Sequence, residues 1–300
     1  MMGQGVSEGM IQGPPERGGG DGAPFRPKSM TPKVFERMSR YVYEQVGIKL
    51  TPAKRIMLEA RLQKRLRTLG FDSYEQYAEY LFTARGQQEE LQQFIDVVTT
   101  NTTEFFREGR HFELLAQKVL PRWRSQFGTS RAMQIWSAGC SFGMEPYTLA
   151  MVLADFAERN SGFVFSVLAT DISARALQHA QRGIYDEERV ESIPESFRKR
   201  FLLRSRERAR KLVRIAPEIR HLVTFQRLNF MEDFSFRTPM DVIFCRNVII
   251  YFDKPTQERL FSRFCESLRP GGYLFIGHSE SLTGMSLPLE AQAPTVYRKV

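Results

Sequence analysis

One strand–turn–helix unit constrains the fold of this chain more than any other feature. Residues 134–150 read QIWSAGCSFGMEPYTLA: an apolar strand enters a turn that contains Gly139 and Gly143, and an apolar helical pattern follows. Units of this kind bind nucleotide-like ligands in α/β sheets. The turn has neither the G-x-G-x-x-G of dinucleotide sites nor the lysine of a P-loop. It carries Glu145 instead, which predicts a ligand with an ammonium group and without a pyrophosphate.

Strand and helix patterns alternate through the last two thirds of the chain. Such alternation predicts a doubly wound α/β sheet in a domain of residues 100–300, with ligands at the carboxyl ends of the strands. The basic stretch 196–222 interrupts the pattern, and we interpret it as an insertion. The predicted strands are 132–137, 163–170, 223–228, 241–246, 272–277 and the final TVYRKV; the predicted helices are 146–158, 173–182 and 256–268.

Residues 31–99 have the pattern of a small all-helical domain. In the helix predicted over 52–69, four leucines share one face, Pro52 suits the first turn, and Gly70 suits the position after the last turn. The leucines are Leu58, Leu62, Leu66 and Leu69, and the other predicted helices are 32–46, 73–83 and 87–99.

The composition favours a reducing, cytoplasmic setting. Residues 1–30 are rich in glycine and proline and lack the apolar stretch of a secretory signal, which predicts a disordered tail. No apolar run is long enough to cross a bilayer. The chain has three cysteines, of which we interpret Cys140 and Cys245 as buried apolar residues. Neither cysteines nor histidines show metal-ligand spacing, so we expect no metal site.

Two stretches account for the net charge of +9. Residues 196–220 contain ten Arg or Lys and two Glu, and residues 52–69 contain six Arg or Lys and one Glu. Localised positive charge steers acidic partners toward a protein, without saying whether they are protein or nucleic acid.

Polar residues follow four of the predicted strands and should meet at one crevice. Asp171 is suited to bind paired ribose hydroxyls, although it could instead cap the following helix. Glu145 is suited to bind an ammonium, although it could instead complement a helix dipole. A ligand with a ribose, an adenine and an amino acid but no phosphate fits this set, and that ligand is S-adenosylmethionine. The strand-end residues are Glu145, Asp171, Asn229, Phe230, Arg246 and Asn247.

A set of motifs extends over residues 32–300. In order, they are GIKL, RIMLEARLQKRL, TTNTTEFFRE, WSAGCSFGMEPYTLA, LATDIS, RLNF, FCRNVIIYF, LRPGGYLFIGHSESL and VYRK. Together they resemble the CheR family, the S-adenosylmethionine-dependent glutamate O-methyltransferases of chemotaxis receptors.

This resemblance implies an architecture and an activity. It implies a Rossmann-like methyltransferase domain with a small inserted β-subdomain, here 196–222, preceded by a small all-helical domain. It implies methyl esterification of glutamates on the cytoplasmic domain of methyl-accepting chemoreceptors, with S-adenosylhomocysteine as product. Arg107 and Tyr251 would then lie nearest the methyl transfer. The implied cofactor-binding residues are Asn101, Thr103, Arg107, Glu145, Asp171, Asn229, Phe230, Arg246 and Asn247.

The chain departs from the family pattern in two places. Phe142 and Met144 replace a small hydroxyl residue and an acidic residue beside the cofactor. Residues 205–211, SRERARK, lack the glycine-rich turn of members that bind a receptor's C-terminal pentapeptide. This argues against a pentapeptide tether, and we expect charge-driven docking on an acidic receptor surface. The helix 52–69 would face the receptor with Arg61, Lys64 and Arg67.

Two other functions are alternatives to this one. A non-catalytic receptor-binding adaptor of the same fold is compatible with Phe142 and Met144. A nucleic-acid methyltransferase is compatible with the basic stretches, but these lack the interleaved aromatic residues of single-strand binding surfaces. The position after the fourth strand reads RNVIIY rather than the [DNS]-P-P-[YF] of amino-group methylation. We therefore expect no nucleic-acid partner, and contact with the membrane only through the receptor.

Overall fold

The computed structural model describes residues 27–300, which form two compact units. The first unit is helical and comprises the described residues up to Tyr43 together with Leu50–Val98. The second comprises Glu44–Lys49 and Thr99–Val300.

Most of the predicted tail, residues 1–26, lies outside the described residues. Met30, in contrast, is buried, and its N–H donates to Glu59 Oε1 at 2.9 Å. Over residues 27–300, no helix combines the length and the apolar character that a membrane span requires.

The helical unit is built around the leucine face of its second helix. Leu58, Leu62 and Leu66 are fully buried, and Gly70 ends the helix with a φ of +76°, as the sequence predicted. Pro52 begins a short 3₁₀ turn, Pro52–Lys54, ahead of that helix. The helices are α1 Pro32–Val46, α2 Arg55–Leu69, α3 Tyr74–Leu81, α4 Ala84–Glu89 and α5 Leu91–Val98.

The single helix predicted over 87–99 is wrong, because the chain forms α4 and α5 there. The Thr83 hydroxyl accepts the Gly86 N–H at 2.9 Å and starts α4 earlier than predicted. The break falls at Glu90, which is 1% exposed and whose carboxylate accepts from Arg65 Nε at 2.9 Å and from the Tyr77 hydroxyl at 3.0 Å. A buried carboxylate without hydrogen bonds is costly, and the interruption of the helix at Glu90 goes together with the hydrogen bonds that this carboxylate accepts.

The second unit contains a seven-stranded, mostly parallel sheet in the order β6-β2-β1-β7-β8-β10-β9. The first five of these strands are mutually parallel, and β10 pairs antiparallel with both β8 and β9. The doubly wound α/β prediction is therefore confirmed. The strands of this sheet are β1 Met133–Ala138, β2 Phe165–Asp171, β6 Val223–Arg227, β7 Met240–Cys245, β8 Leu268–Ile276, β9 Leu289–Ala293 and β10 Val296–Lys299.

Both faces of this sheet are buried, as parallel sheets require. Ile135 of β1 packs into one apolar cluster and its neighbour Trp136 into the other, because successive side chains of a strand point to opposite faces. The helices of this unit are α6 Arg110–Leu114, α7 Leu120–Phe127, α8 Met144–Arg159, α9 Ala174–Arg182, α10 Glu195–Phe201, α11 Pro217–Arg220 and α12 Lys254–Ser267; a π-helical turn, Leu115–Val119, separates α6 from α7.

A second, three-stranded sheet lies between α9 and β6 in the chain. Its strands are β3 Ile184–Asp186, β4 Leu202–Arg204 and β5 Leu212–Ile215, paired antiparallel in the order β3-β5-β4. The insertion predicted from its positive charge was residues 196–222. The sheet begins earlier than that, with β3 at Ile184. Its first strand is three residues long, which is too short to produce a readable alternation of apolar and polar residues.

Candidate functional site

An open cleft lies at the carboxyl ends of the parallel strands, within the second unit. It encloses about 920 Å³ between protein atoms, including the space at its mouth. The turns that follow β1, β2, β6 and β7 line it, as the doubly wound topology predicts. The cleft brings together all ten residues predicted for cofactor binding and catalysis: Asn101, Thr103, Arg107, Glu145, Asp171, Asn229, Phe230, Arg246, Asn247 and Tyr251.

The turn after β1 is shaped by close packing and by hydrogen bonds. Gly139 has a φ of +83°, and a Cβ at this position would lie 2.5 Å from Val248 Cγ2. Ser141 donates its N–H to Asp171 Oδ2 at 2.7 Å and its hydroxyl to the Asn101 carbonyl at 3.0 Å. Two distant segments therefore hold this turn in place.

Asp171 lies at the end of β2 and is 8% exposed. Its Oδ1 accepts the Ser173 N–H at 2.9 Å, while the Ser173 hydroxyl caps α9 by accepting the Ala176 N–H at 3.1 Å. The side chain that caps α9 is therefore that of Ser173. A carboxylate oxygen can accept more than one hydrogen bond, so these contacts are compatible with a ligand hydroxyl at Asp171, and its ribose-binding role stays a prediction.

Glu145 and Arg246 form an ion pair in the wall of the cleft. Arg246 Nε donates to Glu145 Oε2 at 2.8 Å, and the Ser137 hydroxyl donates to Oε1 at 2.8 Å. The Arg246 side chain is 2% exposed, and its Nη1 donates to the Arg107 carbonyl at 2.7 Å. These contacts hold the Glu145 carboxylate in place, and the cofactor-binding role of Arg246 stays a prediction.

A buried polar cluster continues behind Arg246. His111 Nδ1 accepts from Arg246 Nη1 at 3.2 Å, and His111 Nε2 lies 2.9 Å from the Thr295 hydroxyl. Burial and the nearby Arg246 charge lower the pKa of His111 to about 4, so its imidazole is neutral at neutral pH. Burial opposes ionisation of Glu108, but the Arg246 charge, the His278 N–H and the two neighbouring histidines together outweigh it, and the pKa of Glu108 falls below its usual value.

Glu108, His111 and His278 offer three potential metal-ligand atoms within 4.8 Å of one another. A cation there would have to displace Arg246 from the His111 lone pair and would face the guanidinium charge. The local chemistry therefore favours the arginine over a metal ion.

Glu280 organises the loop after β7, and the sequence reasoning missed it. This carboxylate is 7% exposed and accepts four backbone N–H groups. Burial raises its pKa, although the four hydrogen bonds oppose that rise. These hydrogen bonds hold the loop that connects Arg246 to Tyr251. In the sequence, the only indication of this role is that Glu280 is an acidic residue just beyond β8. The four donors are Asn247 at 3.0 Å, Val248 at 2.9 Å, Ile249 at 2.8 Å and Gly277 at 2.6 Å.

Asn229 binds neighbouring protein groups through both ends of its amide. Its Oδ1 accepts the Met231 N–H at 3.0 Å, and its Nδ2 donates to Glu232 Oε1 at 3.2 Å and to the Gln45 carbonyl at 2.8 Å. Gln45 belongs to residues 44–49, which we call the strap. Two strap residues, Val46 and Ile48, also line the cleft, and neither was predicted to do so, although Ile48 belongs to the GIKL motif.

The three cysteines are buried and form no disulfide. Burial raises the pKa of the Cys140 and Cys245 thiols well above the usual value. The interpretation of these two cysteines as buried apolar residues is confirmed.

The three residues predicted to face a receptor differ in their surroundings. Lys64 and Arg67 are exposed on α2. Arg61 is partly buried, and its Nη1 donates to the carbonyls of Val97 at 3.3 Å and Val98 at 2.9 Å, at the end of α5. The structure therefore gives Arg61 a role in packing the helical unit.

The polarity of the cleft changes along the edge of the sheet. Leu228 and Phe230 follow β6, Asp171 ends β2, Glu145 follows β1, and Arg246 follows β7, in the spatial order β6-β2-β1-β7. A ligand with an apolar aromatic base, a diol and an ammonium group, in that order, matches this sequence of surfaces. S-adenosylmethionine has these parts, so the residues present fit it.

Comparison with protein families gives two matches that together span nearly all of the described residues. Residues 33–99 match the CheR methyltransferase, all-alpha domain. Residues 101–297 match the CheR methyltransferase, SAM binding domain, where SAM denotes S-adenosylmethionine.

Curated relatives align over most of their own length. The chemotaxis protein methyltransferase of Klebsiella aerogenes is 40% identical over 264 residues, 88% of this chain and 88% of that protein. Chemotaxis protein methyltransferase 2 of Pseudomonas aeruginosa is 39% identical over 268 residues, 89% and 93% of the two chains. The chemotaxis protein methyltransferase of Borreliella burgdorferi is 38% identical over 275 residues, 90% and 95% of the two chains.

Proposed function

This chain belongs to the CheR methyltransferase family, and we propose that it forms methyl esters on glutamate side chains of chemoreceptors. The acceptors lie on the cytoplasmic domain of the receptor, the product is S-adenosylhomocysteine, and the enzyme works in the cytoplasm. The observation that carries this proposal is the pairing of Glu145 with Arg246 beside Arg107 and Tyr251, in a cleft that also contains Asp171.

The protein's part in this reaction is binding and orientation. Bound S-adenosylmethionine supplies an electrophilic methyl group. Asp171 accepts hydrogen bonds from the ribose, and Glu145, held by Arg246 and Ser137, pairs with the ammonium. Arg107 and Tyr251 orient the incoming carboxylate. Such orientation can lower a barrier by about 7–11 kcal/mol.

The reaction needs no general base. A glutamate side chain has an ordinary pKa of about 4.3, so the acceptor is already ionised at neutral pH. His111 is unsuited to take a proton at this site, because its Nδ1 lone pair accepts from Arg246 and the ring is buried. Glutamate is therefore a better acceptor for this cleft than an amine, which would first have to lose a proton.

Docking on the receptor uses exposed positive charge. Lys64 and Arg67 supply it on α2, and Arg61 acts indirectly by holding the end of α5. Part of the other basic stretch is neutralised within the unit, since Arg200 pairs with Asp155 and Glu158. Residues 205–211 lack a glycine-rich turn, which supports docking by charge over a pentapeptide tether.

The test uses purified protein, methyl-labelled S-adenosylmethionine and receptor-bearing membranes from the same organism. We expect label on the receptor that mild alkali releases as methanol, and less label at high salt because screening weakens docking. The matched variant Tyr251→Phe should bind S-adenosylhomocysteine normally and label the receptor roughly tenfold more slowly. Cofactor binding without labelled receptor would overturn the proposed substrate. Absence of cofactor binding would indicate a non-catalytic adaptor, and label on nucleic acid would indicate a nucleic-acid methyltransferase.

A further inference from the structure

We propose that Glu108 is a positioning residue for methyl transfer, because its carboxylate fixes the backbone that presents Arg107 to the cleft. Arg107 lines the cleft, whereas Glu108 lies behind it. The inference rests on the proposed function, in which Arg107 orients the acceptor carboxylate, and it assigns to Glu108 the task of holding Arg107 where it can do so.

Arg107 lies between two residues with an unusual backbone conformation. Phe106 has a φ of +53° and Glu108 a φ of +56°. Residues other than glycine rarely adopt this left-handed region, and where they do so at a functional site the surrounding structure holds them there. The contacts of Phe106 and Glu108 therefore decide where Arg107 lies.

Phe106 is anchored in the apolar core. Its N–H donates to the Thr148 hydroxyl of α8 at 3.2 Å. The centroid of its ring lies 5.6 Å from that of Phe112 and 5.8 Å from that of Phe197. These contacts do not involve Glu108, so they hold the chain before Arg107 independently of it.

Glu108 anchors the chain on the other side of Arg107. Its side chain is 11% exposed, and Oε1 accepts from the His278 N–H at 3.3 Å and from Asn247 Nδ2 at 3.4 Å. Its Oε2 accepts from Arg246 Nη1 at 3.4 Å. These donors follow β7 and β8, so one carboxylate ties the segment that contains Arg107 to the ends of two neighbouring strands.

The Arg107 side chain has few contacts of its own. Among residues 27–300, its guanidinium donates one hydrogen bond, from Nη1 to the Thr102 carbonyl at 3.3 Å, and forms no ion pair. The guanidinium can therefore pair with an incoming carboxylate. Because its own contacts are so few, the backbone held by Glu108 sets the positions that the guanidinium can reach.

The contacts of Glu108 are separate from those of the carboxylates proposed to bind the cofactor. Arg246 uses Nη1 toward Glu108 and Nε toward Glu145, which also accepts from the Ser137 hydroxyl. Asp171 accepts from backbone N–H groups elsewhere. Removing the charge of Glu108 should therefore slow turnover without weakening cofactor binding.

The first test is a double-mutant cycle on the full-length protein, with kcat for receptor methylation and the Kd of S-adenosylhomocysteine as readouts. In Glu108→Gln, one acceptor oxygen becomes an NH₂ group that faces donors. We expect kcat to fall roughly tenfold and the Kd to stay within about twofold, because misplacement affects only the orientation of the acceptor. The matched control is Glu113→Gln, at an exposed position of α6, which should behave like the wild type.

The same change is then made in an Arg107→Ala background. Because Glu108 acts through Arg107, we expect Glu108→Gln to lower kcat there by less than about twofold. A purely structural role would give the same loss in both backgrounds. That result, or a wild-type kcat for Glu108→Gln alone, would overturn the proposal.

The second test needs no receptor and separates this inference from the proposed function. Amide hydrogen exchange is measured on peptides that cover residues 104–110 and on the turn at 139–143, in Glu108→Gln and in Glu113→Gln. We expect faster exchange over 104–110 in Glu108→Gln alone, and unchanged exchange in the turn. Wild-type exchange over 104–110 in Glu108→Gln would refute the inference. Faster exchange there, together with a wild-type protein that forms no methyl ester, would count against the proposed function alone.

Discussion

Arg246 and Glu145 lie 101 positions apart in the chain and form an ion pair of 2.8 Å between Nε and Oε2. The same guanidinium also lies 3.4 Å from Glu108 and 3.2 Å from His111 Nδ1. One buried cation thus contacts two carboxylates and a histidine at the Glu145 side of the cleft, and it holds Glu145 in place.

Replacing Arg246 should destabilise the protein strongly. In Arg246→Gln, Glu145 and Glu108 lose their buried counter-charge, and we expect the free energy of unfolding to fall by about 3–5 kcal/mol. Urea denaturation measures this change. Arg122→Gln, at an exposed position of α7, serves as the control and should shift the free energy by less than about 0.5 kcal/mol. If Arg246→Gln lowered the free energy of unfolding no more than the control does, the ion pair would not be structurally important.

Glu280 should act as a positioning residue for the loop between Arg246 and Tyr251. In Glu280→Gln, one acceptor oxygen becomes an NH₂ group that faces backbone donors. We expect KM for S-adenosylmethionine and the Kd of S-adenosylhomocysteine to rise roughly tenfold, with a loss of stability of about 1–3 kcal/mol. Glu290→Gln, at an exposed position of β9, is the matched control. Unchanged cofactor binding in a less stable Glu280→Gln protein would reduce Glu280 to a purely structural role.

Stability should decrease in mild acid because of His111. Its folded-state pKa, about 4, is depressed below the usual 6.5, so the folded protein holds fewer protons there than the unfolded chain. This contribution is present above pH 6.5 and is lost as the pH falls toward 4. Unfolding free energies measured across this range should decrease by about 2–3 kcal/mol from this residue.

A matched pair of variants isolates that contribution. In His111→Gln the decrease between pH 6.5 and pH 4 should become shallower, whereas His278→Gln, at a ring that is 55% exposed, should keep the wild-type slope. Equal slopes in all three proteins would show that His111 titrates normally in the folded state.

Arg61 should differ from Lys64 and Arg67 in what its replacement changes. Arg61→Ala removes hydrogen bonds to the Val97 and Val98 carbonyls and should lower the free energy of unfolding by about 1 kcal/mol. Lys64→Glu combined with Arg67→Glu should leave stability and cofactor affinity unchanged while slowing receptor methylation at low salt. Receptor methylation rates and urea denaturation of both variants separate the two effects, and a double variant that methylates at the wild-type rate would remove α2 as the docking helix.

The residues at the strand ends could be predicted from the sequence because of the geometry of parallel sheets. Glu145, Asp171 and Arg246 each follow a strongly apolar strand, and the carboxyl ends of such strands meet at one edge. The order of the motifs along the chain also indicates the family without any structural distance. Local pattern and topology were sufficient for these positions.

Other parts of the site were invisible to the same reasoning because they depend on long-range contacts. Glu280 reads as an ordinary polar residue after a strand until its carboxylate is seen to accept four backbone N–H groups. Val46 and Ile48 read as the end of a helix and a loop. Strand β9 was missed for a different reason, since its side chains are mostly exposed and give no apolar alternation.

The most direct measurement is tandem mass spectrometry of receptor peptides after reaction with the purified protein and S-adenosylmethionine. We expect the added mass of one methylene, localised by fragment ions to glutamate side chains, and we expect mild alkali to remove this added mass. An alkali-stable methyl group on a lysine, arginine or histidine nitrogen would contradict this expectation, as would unmodified receptor in the presence of protein that binds the cofactor.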